Sequence, residues 1–459
     1  MSPNIIFIIL LIFESISLSN SKMVIPFKIK NFDHPKGQNE FILNYFYKNL
    51  VINLLVGTPP QAITLSACLG EYNTFIVDKS CKGYNKGIYN RNNSSTYKPL
   101  VNQSQTFVFE IYDRAIMAEE TFKFGNNEIK DYRFINALEI DDDYPCYDTY
   151  CEVLTEPGIL GFLIQPHANA EYNFSEYNFI HQLKRKNLIS RYEFYFDFNS
   201  NDSGNIIIGS LPNETENENE LYKYTIFSTI TISKVDFSLD WAFQFDDIYY
   251  GEEKINRDTK RLSMLRVEFG FIKGNFLMED YVKNDFFDGL IGKKCTRKNT
   301  NDLGTSIYYY YCDKDIDLSK FKPWKFAIND LEMNFTFTKD DLFLDIGDKY
   351  IFLMTFGGVS EIYLGYPFLK KYKIIFNQDS KTIGYFHKKP KAIEDKTPIV
   401  YIILISILSV IFIVLAAFAL YYFLVVQKKK KMAKELSDEV DKTKNNEGLI
   451  PNEDESTKN

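Results

Sequence analysis

Residues 47–70 read YKNLVINLLVGTPPQAITLSACLG. An apolar run closes at Val56, the turn formers Gly57-Thr58-Pro59-Pro60 follow, and a second apolar run begins after Gln61. Short apolar runs separated by Gly and Pro read as strand, turn and strand. The same punctuation continues outward through YEFYFDFN, GNIIIGS, WAFQFDDIYYG, KFAIND and MNFTFT. Helical periodicity is sparse: residues 177–188 place Ile180, Leu183 and Leu188 near one face, and a second short helix is expected from Pro367. The 40 Phe and 32 Tyr against 2 Trp suit half-buried strands. The expectation is one large, mostly β protein, divisible into two lobes.

With 53 Lys+Arg against 61 Asp+Glu the net charge is −8, and 45% of residues are hydrophobic. That composition excludes a disordered chain and argues against a nucleic-acid surface. Only 22 glycines serve a chain so rich in turns.

The two ends predict a compartment. Residues 5–13 form an apolar run followed by Ser15, Ser17, Ser19 and Ser21, too short to span a bilayer. It reads as a secretory signal over residues 1–19, the alternative being a retained N-terminal anchor. Residues 399–426 carry no charge and are followed by Lys428, Lys429, Lys430 and Lys431. At ~1.5 Å per residue this stretch is long enough to cross a membrane, and the lysines mark the cytoplasmic side. The expected protein is single-pass type I, anchored by one helix, with its larger part extracellular or lumenal. Residues 389–398 make a juxtamembrane linker and 427–459 a disordered cytoplasmic tail.

The six cysteines, at 68, 81, 146, 151, 295 and 312, all precede the span. Cys146 with Cys151 and Cys295 with Cys312 bracket short stretches and are candidate local disulfides, among about 15 possible connectivities. No His/Cys spacing suggests a metal, and no cofactor motif is present. Glycosylation sequons stand at Asn92, Asn93, Asn102, Asn173, Asn201, Asn213 and Asn334.

Taken in order, these segments resemble the pepsin-like aspartic proteases. Val56-Gly57-Thr58-Pro59-Pro60-Gln61 resembles the strand end that leads to the family's first catalytic loop. NNSSTYK (92–98), PGILGF (157–162), FIHQLKRKNLIS (179–190), YFDFNSNDSGNIIIGS (195–210) and DWAFQFDDIYYG (240–251) follow in family order. YLGYPFLKKYKIIFNQDSKTIGYF (363–386) resembles the closing motif, and Cys295 with Cys312 fall where the second-lobe disulfide is expected. The resemblance covers about 340 residues and implies a bilobal fold, with lobes over 20–225 and 226–388 and a peptide-binding cleft between them. The C-terminal span is similar to that of membrane-anchored members such as β-secretase.

Family chemistry needs two aspartates sharing one proton across the cleft, one activating water and the other hydrogen-bonding the substrate carbonyl. Counting from Gln61, the first position falls on Cys68, with Leu69 where a hydroxyl is expected and Gly70 retained. Anchoring on Gly270, the second falls on Glu268, flanked by Phe269 and Phe271 instead of hydroxyls. A thiol cannot share a proton evenly with a carboxylate, and glutamate displaces its carboxylate by about 1 Å. Asp202-Ser203-Gly204 sits in a polar stretch and reads as a hairpin turn. The flap tyrosine maps to Tyr112, in a segment without glycine before Gly125, so the lid is expected to be reduced or stiff.

Cys68 as a nucleophile would need a histidine base, and His34, His167, His181 and His387 lie on segments not expected at the cleft. A buried apolar Cys68, or one joined to Cys81, fits better. Glu268 is expected to turn toward solvent or toward Arg266, the alternative being a lone buried carboxylate of raised pKa beside Phe269 and Phe271. The sequence therefore predicts a pseudoprotease that binds peptide or protein in the interlobe cleft or serves as a receptor surface. The alternative is a working aspartic endopeptidase.

Overall fold

A computed structural model describes residues 22–31, 46, 48–82, 88–100, 112–140, 156–164, 176–212, 222–228, 241–255, 261–300, 307–331, 333–358, 361–388 and 399–446. The expected signal, the linker, Cys146, Cys151, Asn102, Asn173 and Asn213 lie outside the described residues. The chain divides into two compact units, Met1–Lys388 and Lys389–Asn459.

The first unit is built on strands, as the aromatic and β-branched content requires. Lys48–Val56 and Gln61–Cys68 pair antiparallel from Val56↔Gln61 to Val51↔Ser66. Gly57 turns the chain between them at φ +87°, a conformation glycine adopts without a steric penalty. Among the described residues, sheets of thirteen, nine and four strands form. The largest carries the first-lobe strands at one end. At the other end, the last hairpin, Ile374–Asn377 and Thr382–Lys388, comes back from the second lobe to pair beside Glu193–Phe198. Aromatic rings seal that junction: Phe194 stacks on Phe376 at 4.9 Å, and Trp241 meets Phe376 edge-on at 5.0 Å. The mostly β, pepsin-like architecture expected from the sequence is present.

The first expected helix is shorter than its periodicity suggested. It spans Phe179–Arg185, capped by Asn178, whose side chain accepts from the His181 amide, and Asn187 at φ +56° takes the chain away. The second covers Tyr366–Lys371, with Pro367 in its first turn.

An ion pair with a buried carboxylate fastens the second lobe. Glu279, on the Phe276–Asp285 helix, accepts from Arg297 Nε at 2.7 Å, from Arg297 Nη2 at 3.1 Å and from the Tyr310 hydroxyl at 2.6 Å. Arg297 and Tyr310 face each other across the hairpin that the Cys295–Cys312 disulfide closes. Glu279→Leu strands both donors and is expected to cost about 3 kcal/mol in urea unfolding of the full chain. Tyr310→Phe, which removes one hydrogen bond, should cost about 1 kcal/mol.

Among its described residues the second unit is one helix, Ile399–Asn446, long and apolar enough to cross a membrane. The disorder expected from residue 427 is not found as far as Asn446. No Gly or Pro interrupts residues 427–446, and Lys431/Glu435 and Lys434/Asp438 stand four apart, so propensity and pairing carry the helix past its apolar part.

Candidate functional site

The two lobes repeat one arrangement of strands. In the first, Gly158–Gly161 lies between Gln61–Cys68, to which it is parallel, and Phe75–Lys82, to which it is antiparallel. In the second, Ile362–Leu364 lies in the same way between Arg261–Leu265 and Ile272–Asn275. A loop joins the outer strands of each trio and crosses over the glycine that ends the middle strand. A Cβ on Gly161 would sit 2.7 Å from the Glu71 carbonyl and 2.5 Å from that of Asn73. One on Gly365 would meet the Phe269 and Phe271 carbonyls at 2.1 and 2.4 Å. Glycine is required at both crossings because the backbones touch there.

This repeat fixes which residues correspond. Ile159 is flanked by Ser66 and Phe75, and Tyr363 by Met264 and Lys273. Counting two residues on from Ser66 and from Met264, the station of Cys68 is matched by Arg266. Glu268 falls at the station of Gly70, and Gly270 at that of Tyr72. The glycine used to anchor the second loop in the sequence therefore lies two residues beyond the station it was assigned. Side-chain facing agrees: Leu69 and Val267 both join the main core, whereas Cys68 and Met264 belong to clusters on the opposite face.

Cys68 is fully buried and disulfide-bonded, with a partner outside the described residues. Cys81 packs at the edge of the same cluster and keeps a thiol that donates to the Lys82 carbonyl at 3.3 Å, so the Cys68–Cys81 bond left open by the sequence is not formed. The expectation of a reduced, purely apolar Cys68 is corrected too: its sulfur is already committed.

Arg266 is fully buried, and its Nε stands 3.6 Å from Glu268 Oε1. Of the two orientations expected for Glu268, the one toward Arg266 is adopted. The Tyr366 hydroxyl, buried nearby, is held well above its ordinary pKa, first by burial and then by the charge of Glu268. The backbone of Glu268 is held as well, its carbonyl accepting from the Lys48 amide at 3.0 Å.

The first loop carries its own acid. Glu71 is half-buried, and its Oε1 accepts from the Tyr72 amide at 2.9 Å and the Asn73 amide at 3.1 Å. Burial pushes its carboxyl up, against the two amides that favour the charged form. The sequence reading gave Glu71 no role, although it lies only three residues from Cys68.

Three hydrogen bonds connect the loops. The Phe162 amide donates to the Cys68 carbonyl at 2.8 Å, Trp241 Nε1 to the Phe162 carbonyl at 2.8 Å, and the Leu265 amide to the Trp241 carbonyl at 2.9 Å. Gln378 Nε2, from the returning hairpin, also donates to the Phe162 and Leu163 carbonyls at 3.0 and 3.1 Å. Both stations are thus anchored to one junction.

Other candidate residues stand apart. Tyr112 opens the strand Tyr112–Phe124 opposite Ile140, and the preceding part of the expected flap lies outside the described residues. Asp202 is exposed in the hairpin before Ser203–Ile208. His181 is half-buried against Tyr192, its pKa pushed down by burial, while His34 and His167 lie outside the described residues. Asn92, Asn93, Asn201 and Asn334 are exposed.

A comparison with curated individual proteins gave no match. A family model described as eukaryotic aspartyl protease matches residues 49–387, from the strand Lys48–Val56 to the returning hairpin. With that span matched and the pepsin-like strand order present, the chain belongs to the eukaryotic aspartyl protease family.

Proposed function

We propose that this protein is a membrane-anchored pseudoprotease whose interlobe groove binds peptide or protein without cleaving it. One observation carries the reading: at the two matching loop stations the chain supplies a disulfide sulfur, Cys68, and a buried guanidinium, Arg266. Water activation in this family needs one ionised and one protonated carboxyl facing each other. A disulfide neither accepts nor donates the required proton, and a guanidinium stays protonated at any working pH. Glu268, 3.6 Å from Arg266 Nε, has its charge answered by that residue.

The ends of the chain support a type I topology with the lobes extracellular or lumenal, an N-terminal signal, and glycans on the exposed sequons. The helix Ile399–Asn446 is the anchor, its lysine cluster facing the cytoplasm.

Incubating the full chain in detergent with a denatured protein at acidic pH tests the reading. The expected result is no acid-soluble peptide above the blank, together with retention of unfolded peptides on the immobilised protein. Cleavage suppressed by a statine-type peptide would establish the alternative, a working aspartic endopeptidase.

A further inference from the structure

The side chains beside the two stations differ between the repeats. In the first repeat, one row across four neighbouring strands is Ser66, Ile159, Phe75 and Ile135. The last three of these form an apolar cluster with Cys68. The same four stations in the second repeat hold Met264, Tyr363, Lys273 and Thr355. Strands alternate their faces, and Leu265, Ile272, Met354 and Leu364 fill the main core, so this row lies on the opposite face. Arg266, two residues on from Met264, sends Nη2 to the Met264 sulfur at 3.5 Å, which links the row to the second loop.

Lys273 and Thr355 are 7% and 1% exposed. Lys273 Nζ lies over the Tyr363 ring, 5.2 Å from its centroid, and makes no ion pair among the described residues. The Thr355 hydroxyl beside it is buried without a hydrogen-bond partner among the described residues. Burial pushes the lysine below its ordinary pKa, and the charge of Glu361 opposes that shift only in part. A buried hydroxyl without a partner, beside a largely buried lysine that makes no ion pair among the described residues, is costly unless something supplies an acceptor. The equivalent stations of the first lobe, Phe75 and Ile135, show that this fold packs well there without any polar group.

We infer that Lys273 and Thr355 form a receptor for one carboxylate of a peptide ligand, in the second-lobe half of the groove. The inference rests on the reading of the groove as peptide-binding. A singly charged acceptor fits best, because Lys273 brings the one cation of this row and makes no ion pair among the described residues, whereas Arg266 beside the row faces Glu268. The lysine donates to one carboxylate oxygen and the threonine hydroxyl to the other, while Tyr363 covers the ammonium.

The test uses the full chain in detergent and fluorescent decapeptide pools of fixed composition, one with a central Glu and one with Gln, each with a free or an amidated C-terminus. Anisotropy should show the Glu pool binding about tenfold tighter than the Gln pool. Lys273→Met should abolish that preference while leaving the Gln pool bound, and Thr355→Val should weaken it about threefold. Lys273→Met should also raise the unfolding temperature, since an uncompensated buried ammonium is removed, and this shows that the variant is folded. A preference that follows the free C-terminus also supports the receptor and identifies the chain end as its source. Equal binding of all pools by the unaltered protein, or a preference that survives Lys273→Met, overturns the inference and leaves the groove reading intact. Binding of no pool overturns both.

Discussion

The double variant Cys68→Asp/Glu268→Asp is expected to cleave denatured protein no faster than the unaltered chain, forgoing the ~10²–10⁴-fold that a positioned acid and base provide. Its second aspartate would sit at the glycine station of the repeat, beside Arg266 and away from the position that matches Cys68. The variant built on the structural register is Cys68→Asp, Leu69→Thr, Arg266→Asp, Val267→Thr and Glu268→Gly. It puts carboxylates at matching stations, supplies the hydroxyls that steady them and removes the competing charge. It should release acid-soluble peptide at pH 4 at least ~10²-fold faster than the double variant, because a misplacement of about 1 Å forfeits that much and a carboxylate two residues out of register is displaced further. Thermal melts of each variant separate inactivity from misfolding. Equal gains from the two designs would mean that the register of the second loop has been misread.

The second large effect is on stability. Arg266 is completely buried and Glu268 is 11% exposed, so neither charge is readily re-solvated when the other is removed. Arg266→Leu alone and Glu268→Leu alone should each cost about 3–5 kcal/mol in urea unfolding of the full chain, because each strands a buried charge. The double replacement should fall within about 1 kcal/mol of the unaltered protein, since no charge is then left unpaired and the volume is roughly kept. The cycle therefore predicts a coupling of several kcal/mol. Additive single costs would show that the two side chains are held mainly by other neighbours. A nearly neutral double replacement would mean that stability alone gives no reason to keep the pair.

The sequence carried most of the fold. Residues 48–68 determined their strand–turn–strand because the apolar runs and Gly57-Thr58-Pro59-Pro60 allow little else, and the spacing of later segments gave the lobes their order. It also determined that no aspartate stands at Cys68 and that residues 399–426 can span a bilayer. Local composition is enough for such conclusions, since each depends on neighbours in the chain. The two-residue error in the second loop arose because Gly270 looked like the landmark, when the glycine that matters structurally is Gly365, brought beneath the loop from nearly a hundred residues away. Only tertiary pairing decides which residue opposes Cys68. Likewise, Lys273 and Thr355 are 82 positions apart in the chain, and nothing along it signals that they are buried side by side. That adjacency comes from the parallel pairing of Ile272–Asn275 with Met354–Gly357, a long-range contact whose partners no local pattern specifies.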